Sequence, residues 1–355
     1  MRPPSRQSRW HKFVFFYGII LTFLTAAVFI YQPSFLSLVS QKVYDSMLRS
    51  LPEDSGGNLP VIVDLDEKTL AEFGQWPWPR YRVALLLDKI NMMSPSIIGL
   101  DMLFAEPDRT SLDVVQKELY WDLNITVSFT TDVKLENNDQ LLALSMAEAP
   151  VILGYNFFFD DIKSSVQPFL HPIEVISRHD ASFTGFPSLF EAQNVTANLP
   201  ILSSAVNSSG FLNYPADADG VLRRVPLVMT YQDRIYPSLA LAAAMRELQV
   251  EKLFVEMEGD MVESLRLGER QIPVDSRGNL LVRFQRHTGG FDYISAADIL
   301  NDTIDKDRLK NKIAFVGTSA AGLQDTHPTP LDPHFPGVEV HATIVGNILN
   351  DQFLK

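Results

Sequence analysis

One run of residues constrains this chain more than any other. Phe13–Tyr31, FVFFYGIILTFLTAAVFIY, is 19 residues long and carries no charged side chain. A helix needs about 20 apolar residues to cross the hydrocarbon core of a bilayer, so the run is long enough to span one. Arg2, Arg6, Arg9 and Lys12 precede it, and the first 31 residues hold no acid. Basic flanks stay on the cytoplasmic side, which predicts a cytoplasmic segment over 1–12, a transmembrane helix over 13–31 and export of the remainder. A signal peptide has a shorter apolar core and a small-x-small cleavage site. Here Tyr31, Gln32 and Pro33 follow, so an uncleaved anchor is expected.

Beyond the anchor the chain is acidic, with 26 basic against 43 acidic side chains, a net of −17. Phosphate contacts need a basic surface, so nucleic-acid binding is not expected. The absence of cysteine excludes disulfides, thiolate metal sites and thiol nucleophiles. At 355 residues and 46% hydrophobic content there is ample material for a core.

Residues 35–51 place Phe35, Leu38, Val39, Val43, Met47 and Leu51 at near-helical spacing, predicting an amphipathic juxtamembrane helix within a 32–58 connection. The linker PEDSGGN, 52–58, ends it, and an exported domain is expected over 59–355. Pro60–Leu65 and Ile97–Leu100 read as buried strands flanking a helix over 82–93, the pattern of a βαβ unit. That pattern gathers Asp64, Asp66 and Asp101 at the carboxyl edge of one sheet. WPWPR, 76–80, is too rich in proline for regular helix. A helix over 139–147 and a strand over 151–159 precede an irregular, elaborated region at about 160–205. From Gly210, GFLNYPADADGVLRRVPLV reads as a hairpin closed by an Asp-Gly turn. A helix over 236–248 follows, with Pro237 in its first turn. A meander is expected over 254–257, 264–267 and 280–284, then short helical pieces over 294–300 and 307–310. Ile313–Val316 is the last strand, and a helix is expected from Gly337 to about 350. The fold class is therefore α/β (mixed α+β), a largely parallel central sheet with flanking helices plus an antiparallel meander.

Seven blocks carry a resemblance: VDLDEKTL, GQWPWPR, GLDMLFAEPD, GFLNYPADADGVLRRVPL, YPSLALAAA, VGTSAAGLQDTHPTPLD and PGVEVHATIVGNIL. In that order they resemble the type 2 CHASE (cyclases/histidine kinases associated sensory extracellular) domain over about residues 35–350. The resemblance implies a bacterial inner-membrane receptor with a periplasmic sensory module. It also implies further membrane helices beyond Lys355 and a cytoplasmic cyclase or kinase output in cis or trans, with the membrane and a second copy of the chain as partners. The stimulus, whether small ligand, ion or pH, does not come with the resemblance. The helices at 35–51 and 337–350 are expected to carry the signal.

The candidate ligand-sensing residues are Asp64, Asp66, Asp101, Arg224, Thr318, Ser319, Asp325, Glu339 and His341. Asp64, Asp66, Asp101, Glu106 and Asp108 could coordinate a hard divalent cation through oxygen, or simply cap turns and helices. Glu339 and His341, with His327, could hold a transition metal; Glu-x-His puts both side chains on one face of a strand but not of a helix. A pH-responsive histidine is the softer reading. Arg223 and Arg224 alternate on a strand, and the inward one is expected to pair with Asp101 or Asp325 or to meet an anionic ligand. Thr318 and Ser319 could donate to an anion but lack a phosphate-loop pattern. No Gly-x-Ser-x-Gly elbow and no His-Glu-x-x-His helix is present, so no catalytic residue is assigned and no cofactor is required. Two further readings stand beside the sensor: a metal-dependent periplasmic hydrolase using the acidic strand ends with His327 or His341, and a structural dimerisation module.

Overall fold

The structure is a computed structural model that describes residues 6–31, 34–50, 59–127, 137–160, 168–177, 186–285, 290–320 and 325–354. The 52–58 linker expectation, parts of the 160–205 region and residues 321–324 lie outside the described residues. The chain divides into two compact units, Met1–Pro52 and Glu53–Lys355.

The first unit is two helices, Arg6–Tyr31 and Ser34–Ser50. Thr22 and Thr25 bond back to the carbonyls of Gly18 and Leu21, each at 2.9 Å, which hides their hydroxyls within an apolar helix. Phe13–Tyr31 is long and apolar enough to cross a membrane. On the second helix Leu38, Val39, Val43 and Met47 of the expected apolar stripe are exposed.

The second unit is built on a seven-stranded sheet. Its central path runs Asp292–Ser295, Val61–Asp64, Ile313–Gly317, Ile97–Leu100, Val151–Phe158, and these neighbours pair in parallel. Ser209–Phe211 continues the parallel set from Val151–Phe158, and Asn194–Thr196 adds an antiparallel edge. Val61–Asp64, Ile97–Leu100 and Ile313–Gly317 are buried at every position, as strands covered on both faces must be. That is why they are continuous apolar runs in the sequence.

The last strand is not at an edge. Ile313–Gly317 lies between the two strands of the expected βαβ unit, with Val61 opposite Ala314 and Ile98 opposite Ala314 on its other side. Helices Glu67–Phe73, Arg80–Met92, Asn138–Glu148 and Ala296–Leu300 contribute to one core with Trp78, Phe104, Leu142 and Val316. Leu239–Glu247 and Gly337–Leu349 are buried along almost their whole length.

Two local expectations fail for one physical reason, that partners elsewhere outcompete neighbours in sequence, and a third, the start of the 236–248 helix, shifts because Arg234–Pro237 pairs with Val228–Tyr231. The Asp-Gly turn at 217–220 forms, with Gly220 N–H bonding Asp217 C=O at 2.8 Å. However, its flanks do not pair: Ser209–Phe211 joins the main sheet and Arg224–Pro226 pairs with Asn279–Leu281. That second pairing also removes residues 280–284 from the meander, which is completed by Arg270–Pro273 beside Lys252–Glu258 and Met261–Leu267. Pro237 ends a strand, Arg234–Pro237, and Ser238 caps the next helix by accepting from Leu241 N–H at 3.2 Å. Helix Leu112–Leu123 and strand Glu174–Ser177 had no sequence expectation.

Candidate sensing cleft

The carboxyl ends of parallel strands converge on one edge of the sheet, where α/β folds place their ligands. A cleft of about 610 Å³ opens there. Leu65, Asp101, Met102 and Leu103 reach it from beyond the first two strands and Thr318 from beyond the last. Asn156 and Phe158 come from Val151–Phe158, and Leu212, Asn213 and Tyr214 follow Ser209–Phe211. Trp76, Asp325 and His327 complete the lining.

Backbone bonds lock this rim. Asp101 N–H bonds Val316 C=O at 3.0 Å, Leu65 N–H bonds Gly317 C=O at 2.9 Å, and Leu212 N–H bonds Tyr155 C=O at 2.8 Å. Asn213 clamps the Phe157 backbone from both sides, at 2.8 and 2.9 Å. Thr318 donates its hydroxyl to Leu65 C=O at 3.1 Å, so it ties two strand ends together rather than standing open for an anion.

Helix Gly337–Leu349 starts against the cleft. Gly337 N–H bonds Asp325 C=O at 3.0 Å, and a Cβ at Gly337 would lie 2.4 Å from an Asp325 carboxylate oxygen. Glycine is therefore required for the Asp325 carboxylate to rest on the helix N-terminus, whose partial positive charge favours an anion. Gly317 serves the same closeness from the sheet side, because a Cβ there would lie 2.6 Å from Val338.

Asp101 and His341 meet under this rim. Their closest approach is 3.9 Å, beyond hydrogen-bond length, with the Asp101 side chain 7% exposed and that of His341 1%. Asp101 Oδ2 and both ring nitrogens of His341 are buried with no hydrogen-bond partner among the described residues. The imidazole stacks on Phe315, with centroids 6.0 Å apart, and faces Tyr214 at 5.0 Å. Burial drives the His341 pKa down to about 3, against the attraction of Asp325 and with help from His327, so the ring is neutral. Burial raises the Asp101 carboxyl well above the usual carboxylate range, and the charge on Asp325 adds to that rise. Tyr214 donates to Gly337 C=O at 3.1 Å, and burial followed by Asp101 and Asp325 pushes its phenol upward. His327 sits 3.5 Å from Asp325 and edge-on to Tyr214 at 5.0 Å.

The remaining candidates are dispersed. Asp64 accepts from Ser319 N–H at 2.8 Å and from the Ser319 hydroxyl, and burial still raises its pKa. Asp66 caps Glu67–Phe73, accepting from Thr69 N–H at 2.8 Å. Asp108 accepts from Thr110 N–H, Arg80 N–H and Asn138; burial opposes its charge, but those donors outweigh it and the pKa falls. Glu106 is exposed. Three of the five acids are therefore spoken for by capping and turn amides, and the divalent-cation cluster does not assemble. Among the described residues no group of three or more His, Asp or Glu is placed to hold a metal ion. Glu339 and His341 lie on a helix and diverge: Glu339 takes the Tyr293 hydroxyl proton donor, while His341 faces Asp101. The transition-metal reading of Glu339 with His341 required extended backbone, which the helix Gly337–Leu349 does not supply.

The arginine expectation is also corrected. Arg223 points inward, 1% exposed, but bonds Asp217 at 3.0 Å and Asp219 at 2.8 and 2.9 Å, not Asp101 or Asp325. Arg224 is 44% exposed and lies 3.7 Å from Asp217, away from the cleft. Of the candidate residues, Asp101, Thr318, Asp325 and His341 come together. Tyr214, Asn156 and Trp76 were missed; the signal that could have found Tyr214 is its position just past a buried strand, the same signal that marked Asp101.

A family model described as the CHASE2 domain matches residues 20–355. No curated protein and no solved structure gives a significant match.

Proposed function

We propose, from the premise that this chain belongs to the CHASE2 domain family, that it is the receiving module of a membrane receptor and that the cleft at the strand ends is where the signal enters. CHASE2 is a family of extracellular sensory domains found alongside cyclase or kinase outputs. Phe13–Tyr31 supplies an inner-membrane anchor, with 1–12 cytoplasmic and 59–355 periplasmic. The observation that carries the reading is the Asp101 side chain, which lines the cleft with its buried Oδ2 unbonded among the described residues. A fold spends stability on an unpaired buried carboxyl, and sites of recognition are where such arrangements concentrate. Helix Gly337–Leu349 begins at Asp325 and is the element through which occupancy of the cleft leaves the site. The exposed Leu38, Val39, Val43 and Met47 support a homodimer through Ser34–Ser50.

The absence of cysteine makes a direct test simple. In the otherwise cysteine-free full chain, His327→Cys should react with a membrane-impermeant maleimide applied to intact cells. Labelling only after lysis would overturn the exported location.

A further inference from the structure

We propose that the cleft binds a small organic cation, a ligand whose ammonium nitrogen sits between Asp101 and Asp325 while its carbon skeleton lies against Trp76, Phe158 and Tyr214. The inference rests on the cleft being the receiving site and names the chemistry it receives.

Charge decides the class. Among the described residues, two acidic side chains line the cleft and no Arg or Lys does. The nearest bases are His341, held neutral by burial, and His327, whose Nε2 lies 3.5 Å from Asp325 and not at Asp101. Asp101 therefore has a buried oxygen with no donor and no fixed cation to offset it. An anion entering here would meet Asp101 and Asp325; a neutral ligand could bond the Asp101 carboxyl but would not favour its ionised form. An ammonium group supplies both the donor and the charge.

The walls separate an organic cation from a metal ion. A hard divalent ion needs six or more oxygen ligands, and the described residues offer no cluster of that kind. Trp76, Phe158 and Tyr214 bring aromatic rings to the lining, together with Leu65, Leu103 and Leu212. Aromatic faces attract an ammonium group, and a volume of about 610 Å³ is that of a small-molecule pocket rather than an ion site. The amide of Asn156 and the Thr318 side chain leave room for a polar tail on the ligand.

Asp101 carries a proton more readily than a free carboxyl because burial raises its pKa. Entry of an ammonium ion consequently drives that proton to the buffer, while Asp325, His327, His341 and Tyr214 are the other titratable groups facing the site.

The test uses the full chain in detergent micelles. Unfolding temperature and calorimetry are followed with butylammonium and phenethylammonium, each up to millimolar concentration. The comparison compounds are 1-pentanol, 3-phenylpropan-1-ol and 3-phenylpropanoate, with magnesium or calcium chloride alone as separate arms. At least one ammonium compound should protect, with its uncharged isostere at least tenfold weaker. Its binding heat should vary with the ionisation enthalpy of the buffer, reporting proton release. Asp101→Asn and Asp325→Asn should each weaken binding ten- to a hundredfold, the cost of losing one charge-assisted hydrogen bond, and Asp101→Asn should abolish the proton release. Equal protection by the uncharged isosteres, protection by the carboxylate or by the divalent salts alone, or no protection by any ammonium compound would overturn the inference. If His327→Cys labels from outside the cell and no ammonium compound protects, the sensor reading stands and the cationic ligand alone is lost.

Discussion

Two buried charge clusters in this domain are built to opposite ends. At the 217–223 turn, Arg223 is fully enclosed and its guanidinium bonds both Asp217 and Asp219. At the strand ends, Asp101 is almost as well enclosed, yet its neighbour His341 is neutral, 3.9 Å away and unbonded. The first cluster carries two acids and a base that answer each other in planar, charge-assisted contacts. The second pairs Asp325 with His327 at 3.5 Å but leaves Asp101 with no bonded base among the described residues. The first fixes a turn; the second leaves a demand that something from outside can meet. An enclosed charge by itself does not separate architecture from function. What separates them is whether the chain brings its own counter-charge.

The sharpest way to break this comparison is to remove the counter-charge where it exists. Arg223→Met leaves Asp217 and Asp219 without their enclosed partner, and losing one member of a buried pair costs about 3–5 kcal/mol. Urea denaturation should show that loss. Arg224→Met is the control: Arg224 is 44% exposed, and its 3.7 Å approach to Asp217 should be worth less than about 1 kcal/mol. Equal effects at the two positions would mean that enclosure of Arg223 has no energetic weight.

The next effect lies at the helix start. Gly337→Ala puts a methyl group 2.4 Å from an Asp325 oxygen, and forcing atoms into a filled space costs about 1–3 kcal/mol. Because the obstacle is a side chain, Asp325→Ala should return most of that cost, a coupling that a double-mutant cycle reads directly. Additive losses would show that the glycine serves the backbone and not the carboxylate.

The contrast between the clusters also shows what the sequence could and could not disclose. Val61–Asp64, Ile97–Leu100 and Ile313–Gly317 were legible because strands buried on both faces are apolar at every position. Their spatial order was not, since nothing local to Ile313–Gly317 states that it inserts between the other two. The inward arginine was legible from alternation, but its partners were not. Asp217 and Asp219 lie four to six residues away, whereas Asp101 and Asp325 were the sheet-edge acids the topology favoured. Likewise Asp66 and Asp101 follow two similar strands, and only the structure shows that Thr69 claims the first while no donor among the described residues reaches Oδ2 of the second. The Asp-Gly signal correctly placed a turn and wrongly paired its flanks, because long-range ladders with Val151–Phe158 and Asn279–Leu281 won.

The smallest expected effect has the opposite sign. Burial holds the folded Asp101 pKa above its unfolded value, so its contribution to stability is full below about pH 4 and is lost as pH rises from there. Asp101→Asn removes that loss and should raise the unfolding temperature at pH 7.5, by about 2–4 °C for each kcal/mol regained. His341 acts in the other direction. Its folded pKa of about 3 lies below the unfolded value of 6.5, so stability is full above pH 6.5 and falls as pH drops towards 3. Between pH 4 and 6.5 the two slopes oppose each other in the native chain. Asp101→Asn leaves the His341 slope alone, at most about 1.4 kcal/mol per pH unit, so the variant should be more acid-sensitive than the native chain while being more stable at neutral pH. Asp325, His327 and Tyr214 face the same group in both proteins, so the difference between the two pH curves isolates Asp101. A variant no more stable at pH 7.5, with a parallel curve, would mean that Asp101 finds in the chain the counter-charge that Arg223 gives Asp217 and Asp219, and the two clusters would then be alike.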